Sequence, residues 1–179
     1  MKNIRKKLIK TFEKRRFARI KRKVSKYRTY INRGYITSIS KELIFFRETE
    51  NFELLGLIAL PINQLLSIRY NKNDRYYDFI MESEGEKKSI KEDNLQKCHN
   101  FKLLFKYLKD RDEYVIIELE REGVFIIGEI IEVKKKSVHI RYFDATGIFE
   151  NDVRKIRYKK ITKVIFNDRY IDVFRKYLQ

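Results

Sequence analysis

The stretch Gly34-Tyr-Ile-Thr-Ser-Ile-Ser-Lys-Glu-Leu-Ile-Phe-Phe-Arg47 lies over Gly128-Glu-Ile-Ile-Glu-Val-Lys-Lys-Lys-Ser-Val-His-Ile-Arg141 at an offset of 94 residues. Apolar residues fall at matching places: Ile36 with Ile130, Ile39 with Val133, Ile44 with Val138 and Phe46 with Ile140. Two later blocks extend the match. Leu65, Ile68, Tyr70 and Asn71 correspond to Ile161, Val164, Phe166 and Asn167 at an offset of 96. Asn73-Asp-Arg-Tyr-Tyr-Asp-Phe-Ile80 then corresponds to Asn167-Asp-Arg-Tyr-Ile-Asp-Val-Phe174 at 94. Ordered self-similarity of this kind identifies a duplicated module.

Each copy reads as short strands with period-two alternation. In the second copy these are 114–120, 124–133, 137–142, 153–157 and 161–166, with turns at 122–123, 134–136 and 144–147. The first copy offers 30–39, 43–47, 54–60 and 65–70. Asp74 and Asp168 are candidate N-caps for short helices over 75–82 and 169–178. Between the copies, Asp93 or Asn94 is placed to cap a helix that presents Leu95, Cys98, Phe101, Leu104, Phe105 and Leu108. Five short strands in about 55 residues predict a small antiparallel barrel. The reading is therefore mainly β with α: a basic helical arm over 1–29, a first small β-barrel over 30–84, a helical connector over 85–111, and a second small β-barrel with a C-terminal helix over 112–179.

The run Gly-x-hydrophobic-x-x-hydrophobic, four or five residues, then hydrophobic-x-hydrophobic, at Gly34 and again at Gly128, resembles the first motif of the Sm-like fold. It is similar also to small barrels of the Src-homology or Tudor type, and the whole-chain pattern is similar to that of uncharacterised bacterial proteins. The resemblance covers most of 30–80 and 114–174. It implies tandem Sm-like barrels, RNA as the ligand, and association through edge strands. The second Sm motif, an Asn or Gly beside a basic residue at the RNA pocket, has no counterpart here. Two barrels in one chain satisfy one pair of sheet edges internally, so a monomer or small homo-oligomer is expected rather than a large ring.

Charge is distributed unevenly. Residues 1–33 hold 15 of the 42 Lys and Arg and a single acid, Glu13, leaving the other 146 residues close to neutral. Apolar positions 17, 20, 24, 27 and 31, preceded by 4, 8 and 12, follow helical spacing, so an amphipathic helix is predicted over 3–26, with a phase shift between Phe12 and Phe17. Its other face carries Arg5, Lys6, Lys7, Lys10, Lys14, Arg15, Arg16, Arg19, Lys21, Arg22 and Lys23. That density suits phosphates, whose neutralisation releases counterions, and no base-reading signature accompanies it. The expected function is non-enzymatic association with nucleic acid, RNA and among RNAs ribosomal RNA being favoured over DNA. The alternatives are a protein-interaction module (an immunity, inhibitor or adaptor protein using the barrels) and attachment of the arm to an anionic membrane surface. Arg75, Tyr76, Arg169 and Tyr170, at equivalent places in the two copies, form a secondary candidate site. The basic runs 134–136 and 155–163 read as solvated turns.

Catalytic and metal chemistry find little support. His99, His139 and Cys98 cannot complete a four-ligand zinc site without carboxylates, and no Gly-rich phosphate loop occurs, so no metal or cofactor is expected. Asp112 followed by Glu132-Val133-Lys134 has the acid, acid-x-lysine spacing of metal-dependent nucleases, but Glu132 and Lys134 alternate with Ile131 and Val133 as the wet face of a strand does. One cysteine and no apolar run of about 18 residues give the expectation of a cytoplasmic protein without a membrane span.

Overall fold

The computed structural model describes residues 2–91, 94–121, 123 and 125–179. Asp93, Glu122 and Val124 of the sequence reading lie outside them. The chain runs α1 (Lys2–Glu13), β1 (Phe17–Lys23), β2 (Thr29–Ile39), β3 (Leu43–Glu50), β4 (Glu53–Pro61), β5 (Leu65–Arg69) and α2 (Lys72–Ser83). It then repeats that order as α3 (Phe101–Lys109), β6 (Tyr114–Leu119), β7 (Phe125–Val133), β8 (Ser137–Phe143), β9 (Phe149–Arg157), β10 (Ile161–Phe166) and α4 (Arg169–Arg175). The fold is mainly β, with about 45% strand and four α-helices among the described residues.

The long basic helix is corrected. α1 stops at Glu13, Arg15 takes a left-handed φ of 45°, and the chain turns into β1. Helical spacing at 17, 20 and 24 misled because β1 buries Ala18, Ile20 and Arg22 on alternate positions, and a buried arginine is invisible to an apolar periodicity. Hydrogen bonding on both sides, to β2 and to β5, outweighs local propensity. α1 remains amphipathic: Leu8 is fully buried among Ile20, Ile44, Phe46 and Ile58, with Ile4 and Phe12 packed alongside.

The expectation of two closed barrels is likewise corrected to one antiparallel sheet of ten strands, not closed, in the order β5-β1-β2-β3-β4-β10-β6-β7-β8-β9. The two halves join where β10 pairs with β4, through Val164–Ala59, Ile165–Ile58 and Phe166–Leu57. Their strands bend at equivalent places. Register slips between Ile36 and Ser38 on β2 and between Ile130 and Glu132 on β7, then between Arg47 and Thr49 on β3 and between Arg141 and Phe143 on β8. Such bulges increase local twist and curl a sheet. Gly34 and Gly128 permit that curl, because a Cβ there would stand 2.0 Å from the Arg47 carbonyl oxygen and 2.1 Å from that of Arg141.

The helical connector is α3, shorter than expected. Asn100 caps it by accepting from the Leu103 N–H at 3.0 Å, and Asn94, Leu95 and Cys98 precede it. Phe101, Leu104, Phe105 and Leu108 bury one face among residues of both halves, including Phe45 and Ala59 from the first and Val115 and Ile140 from the second. Each such side chain contributes about 1.5–3 kcal/mol on burial, so α3 binds the halves together. The two copies differ at their last helices. Asp168 caps α4 as expected, whereas α2 starts a turn earlier under Asn71, with Asp74 as the third residue of a reciprocal capping box.

Candidate nucleic-acid interface

The same two turns of each copy converge where the halves meet. The β2–β3 turn brings Lys41 and Glu42, and the single 3-10 turn before β5 brings Ile62, Asn63 and Gln64. Their equivalents in the second copy bring Lys135, Tyr158 and Lys159. Arg5 of α1 closes one side, its guanidinium donating to the carbonyls of Lys41 and Ser40, both at 3.1 Å, and Lys102 at the start of α3 stands on another. The result is a cleft of about 690 Å³ with an apolar floor that includes Leu43, Pro61, Ile62 and Ile161. Among its lining residues five are basic and one, Glu42, is acidic.

A second hollow of about 960 Å³ continues from it, sharing Lys135, Tyr158 and Lys159 and adding Lys134, Lys136, Lys155 and Arg157, with no carboxylate in its lining. Lys134 pairs with Glu132 on the adjoining strand. Lys135, Lys136, Lys155, Arg157 and Lys159 are exposed and make no ion pair to a carboxylate among the described residues. Lys160 and Lys163 of the same basic run are neutralised instead, by Glu120 at 2.7 Å and by Glu48 and Glu118 at 3.3 and 2.8 Å. Charge left uncompensated in a concave surface focuses potential and attracts polyanions.

Tyr158 stands between the two hollows. Its ring stacks on Phe105 of α3 with centroids 6.0 Å apart, and its hydroxyl donates to the Lys134 carbonyl at 2.9 Å. Burial pushes the phenol up to about 12, so the hydroxyl stays protonated and continues to pin the lysine turn. The arrangement combines cations for phosphates with an apolar floor for a planar face.

The residues singled out from sequence are scattered by the fold. Arg5 lines the cleft, while Lys6, Lys7, Lys10 and Lys14 stand exposed on and just after α1. Arg15 occupies the left-handed turn, and Arg16 lies over the Tyr70 ring at 5.0 Å. Arg19 is half-buried near Arg33 and Arg69, and burial, followed by the charges of those two arginines, lowers its pKa. Lys21 and Lys23 face outward from β1. Arg22 does not: it is 1% exposed, and its guanidinium is held by Asn32, Gln64 and the Thr162 carbonyl. Arg75 and Arg169 are exposed but on different helices, and neither Asp74 nor Asp168 pairs with the arginine that follows it: Asp74 holds Arg69, and Asp168 accepts from the Gly56 and Tyr170 N–H groups. Tyr76 stacks with Phe79, and Tyr170 packs tilted against Phe174 with centroids 4.8 Å apart, with half or more of each tyrosine exposed. The two Arg-Tyr pairs therefore do not form one site.

The strongest cluster, Lys135 with Lys159, falls in the two basic runs whose sequence reads as solvated turns. Its signal lay in the repeat itself, since Lys135 is the equivalent of Lys41 and the turns carrying them are those that meet at the joint. The nuclease-like spacing does not assemble either: Asp112 is engaged by Arg175, and Glu132 by Lys134 and by His139 at 3.4 Å. Among the described residues, no three His, Cys, Asp or Glu side chains gather as a metal site, and no helix is long and apolar enough to cross a membrane. Comparison with known protein families, with curated proteins and with solved structures finds no match to this chain.

Proposed function

We propose that this chain is a non-enzymatic nucleic-acid-associated protein, with RNA favoured over DNA, which holds its ligand in the cationic cleft between the two repeats. The observation that carries this reading is the pairing of unneutralised lysines and arginines with an apolar floor in two adjoining hollows that share Lys135, Tyr158 and Lys159. Phosphates would meet Arg5, Lys41, Lys135 and Lys159 at the rim, and a base would lie over the floor near Tyr158. The preference for RNA rests on the resemblance of the sequence patterns at Gly34 and Gly128 to the first motif of Sm-like units. The basic N-terminal segment serves this reading as the wall of a cleft rather than as a free arm.

Attachment to a bilayer is disfavoured by one observation. The apolar stripe of α1 that would enter the membrane is already spent, with Leu8 fully buried against the sheet.

The test is titration of the intact protein with mixed-sequence RNA across a salt series, beside the Lys135→Glu/Lys159→Glu variant. Each lost phosphate contact lowers the slope of log K against log salt by about 0.7–0.9, so the pair of charge reversals should flatten it by well over one. Wild-type binding that ignores salt, or a variant that binds as the wild type does, would sink the proposal.

A further inference from the structure

Beyond the cationic cleft the repeat joint carries a second groove, of about 510 Å³, and it differs in chemistry. Tyr30 on β2, Phe125 at the start of β7 and Tyr170 on α4 all line it, and they are 39%, 54% and 51% exposed. Three aromatic rings left this open around one hollow forgo burial that the core offers other aromatics, such as Phe45 and Phe105 at 0%. The groove's sides are cationic. Arg28 and Arg121 line it, and the β1–β2 hairpin that supplies Arg28 also bears Lys23 and Lys26 and no acid. Arg28 fixes that hairpin against the second repeat by donating to the carbonyl of Glu120 at 2.8 Å.

The floor is polar and ordered. Asn32 donates to Glu48 at 2.5 Å, and Lys163 bridges Glu48 and Glu118. The Glu118 side chain is one-third exposed, which leaves it able to accept from an exocyclic amine or a ring N–H. Arg22 lines this groove while its Nη1 reaches Gln64, which lines the cationic cleft, so one side chain separates the two hollows.

We propose that this groove is a second binding surface that takes unstacked bases, and that it makes the protein selective for single-stranded over duplex nucleic acid. The inference rests on the nucleic-acid reading above and adds the class of ligand. A duplex hides the faces of its bases, whereas a single strand can lay them on Tyr30, Phe125 and Tyr170 with a phosphate on the exposed Arg121. The cations at the rim of the cleft attract both forms through their phosphates, and the three open rings of this groove add contacts that only a single strand can make.

The experiment compares the full chain, the Tyr30→Leu/Phe125→Leu/Tyr170→Leu variant and the Lys135→Glu/Lys159→Glu variant on single-stranded RNA and on duplex RNA of equal length. Leucine keeps apolar bulk at three exposed positions, and thermal melting checks that the variant folds. Since the chain has no Trp, tyrosine emission is readable, and the quenching that the wild type shows beyond the leucine variant reports stacking in this groove. The expected result is about a tenfold or greater loss for single strands in the leucine variant, unchanged duplex binding, and loss of the tyrosine quenching that single strands produce in the wild type. Single-strand binding unchanged by the leucine variant but lost in the glutamate variant would overturn this inference and leave the nucleic-acid reading standing. Binding of neither RNA by the wild type would overturn both and turn attention to an acidic protein as occupant.

Discussion

Arg22 on β1 donates from Nη1 to the carbonyl oxygen of Thr162 on β10 at 2.6 Å, joining two repeats across 140 residues of chain. The same guanidinium donates to Asn32 Oδ1 at 2.6 Å and to Gln64 Oε1 at 3.2 Å, and it is 1% exposed. Burial lowers its pKa while the charges of Glu118 and Glu48 act in the opposite sense, so the cation is compensated in place. Removing one member of such a buried network leaves its acceptors unpaired and a cavity behind. Arg22→Ala should therefore destabilise by about 3–5 kcal/mol, read as a lower urea midpoint, whereas Lys21→Ala on the exposed side should cost under about 0.5 kcal/mol.

Gly34 and Gly128 predict a matched pair of defects. A methyl at either site meets a backbone carbonyl at 2.0 or 2.1 Å, which no rotamer change can relieve. Gly34→Ala and Gly128→Ala should each cost about 1–3 kcal/mol or more in chemical denaturation. The control at Gly56 is different in kind, because there the Cβ meets the side chain of Asp168, which can move.

Asp74 ties α2 to β5. Burial alone would raise its pKa, but the Arg69 hydrogen bonds at 2.9 and 3.1 Å, the Asn71 N–H and the charge of Arg69 outweigh that and hold it below its ordinary value of 3.8. A carboxylate depressed in the folded state contributes stability that is complete above its unfolded value and is lost as pH falls through the folded one. Asp74→Asn should lower stability at neutral pH by about 1 kcal/mol, the value of a helix cap, and the difference from wild type should shrink below pH of about 4. Thermal melts at pH 7 and pH 3 measure it.

The open strands at the two ends of the sheet carry charges that oppose propagation. Were β9 of one copy to meet β5 of another as β4 meets β10, Arg154 would stand opposite Arg69, where the internal joint pairs Ile58 with Ile165. Lys155 would likewise replace Ala59. Like charges directly opposed destabilise a sheet, and edge charges are a recognised defence against pairing. Light scattering should find a monomer at tens of micromolar, and Arg154→Ile/Lys155→Ala should raise the average mass.

Period-two alternation located β2 to β8 and β10 to within a few residues, because sheet faces impose it on every strand with one side buried. β9 starts four residues earlier than its apolar signal at Val153, since its first half is held by backbone pairing and exposes its side chains. The strand of residues 17–23 is not legible in the sequence, for its apolar spacing fits a helix and the burial of Arg22 is a tertiary fact. The cleft was legible only as isolated basic turns.

The sequence by itself determined the duplication, the alternating strands, the apolar face of α3 and the location of the surplus charge. These are properties of neighbours within about ten residues, where side-chain periodicity is set by backbone geometry. Only the tertiary structure decided that the halves share one open sheet, that Arg22 is a buried tie, and that Arg5, Lys41, Lys135 and Lys159 face one hollow. Those outcomes depend on the pairing of β4 with β10 and on acceptors more than a hundred residues away, which no local pattern encodes.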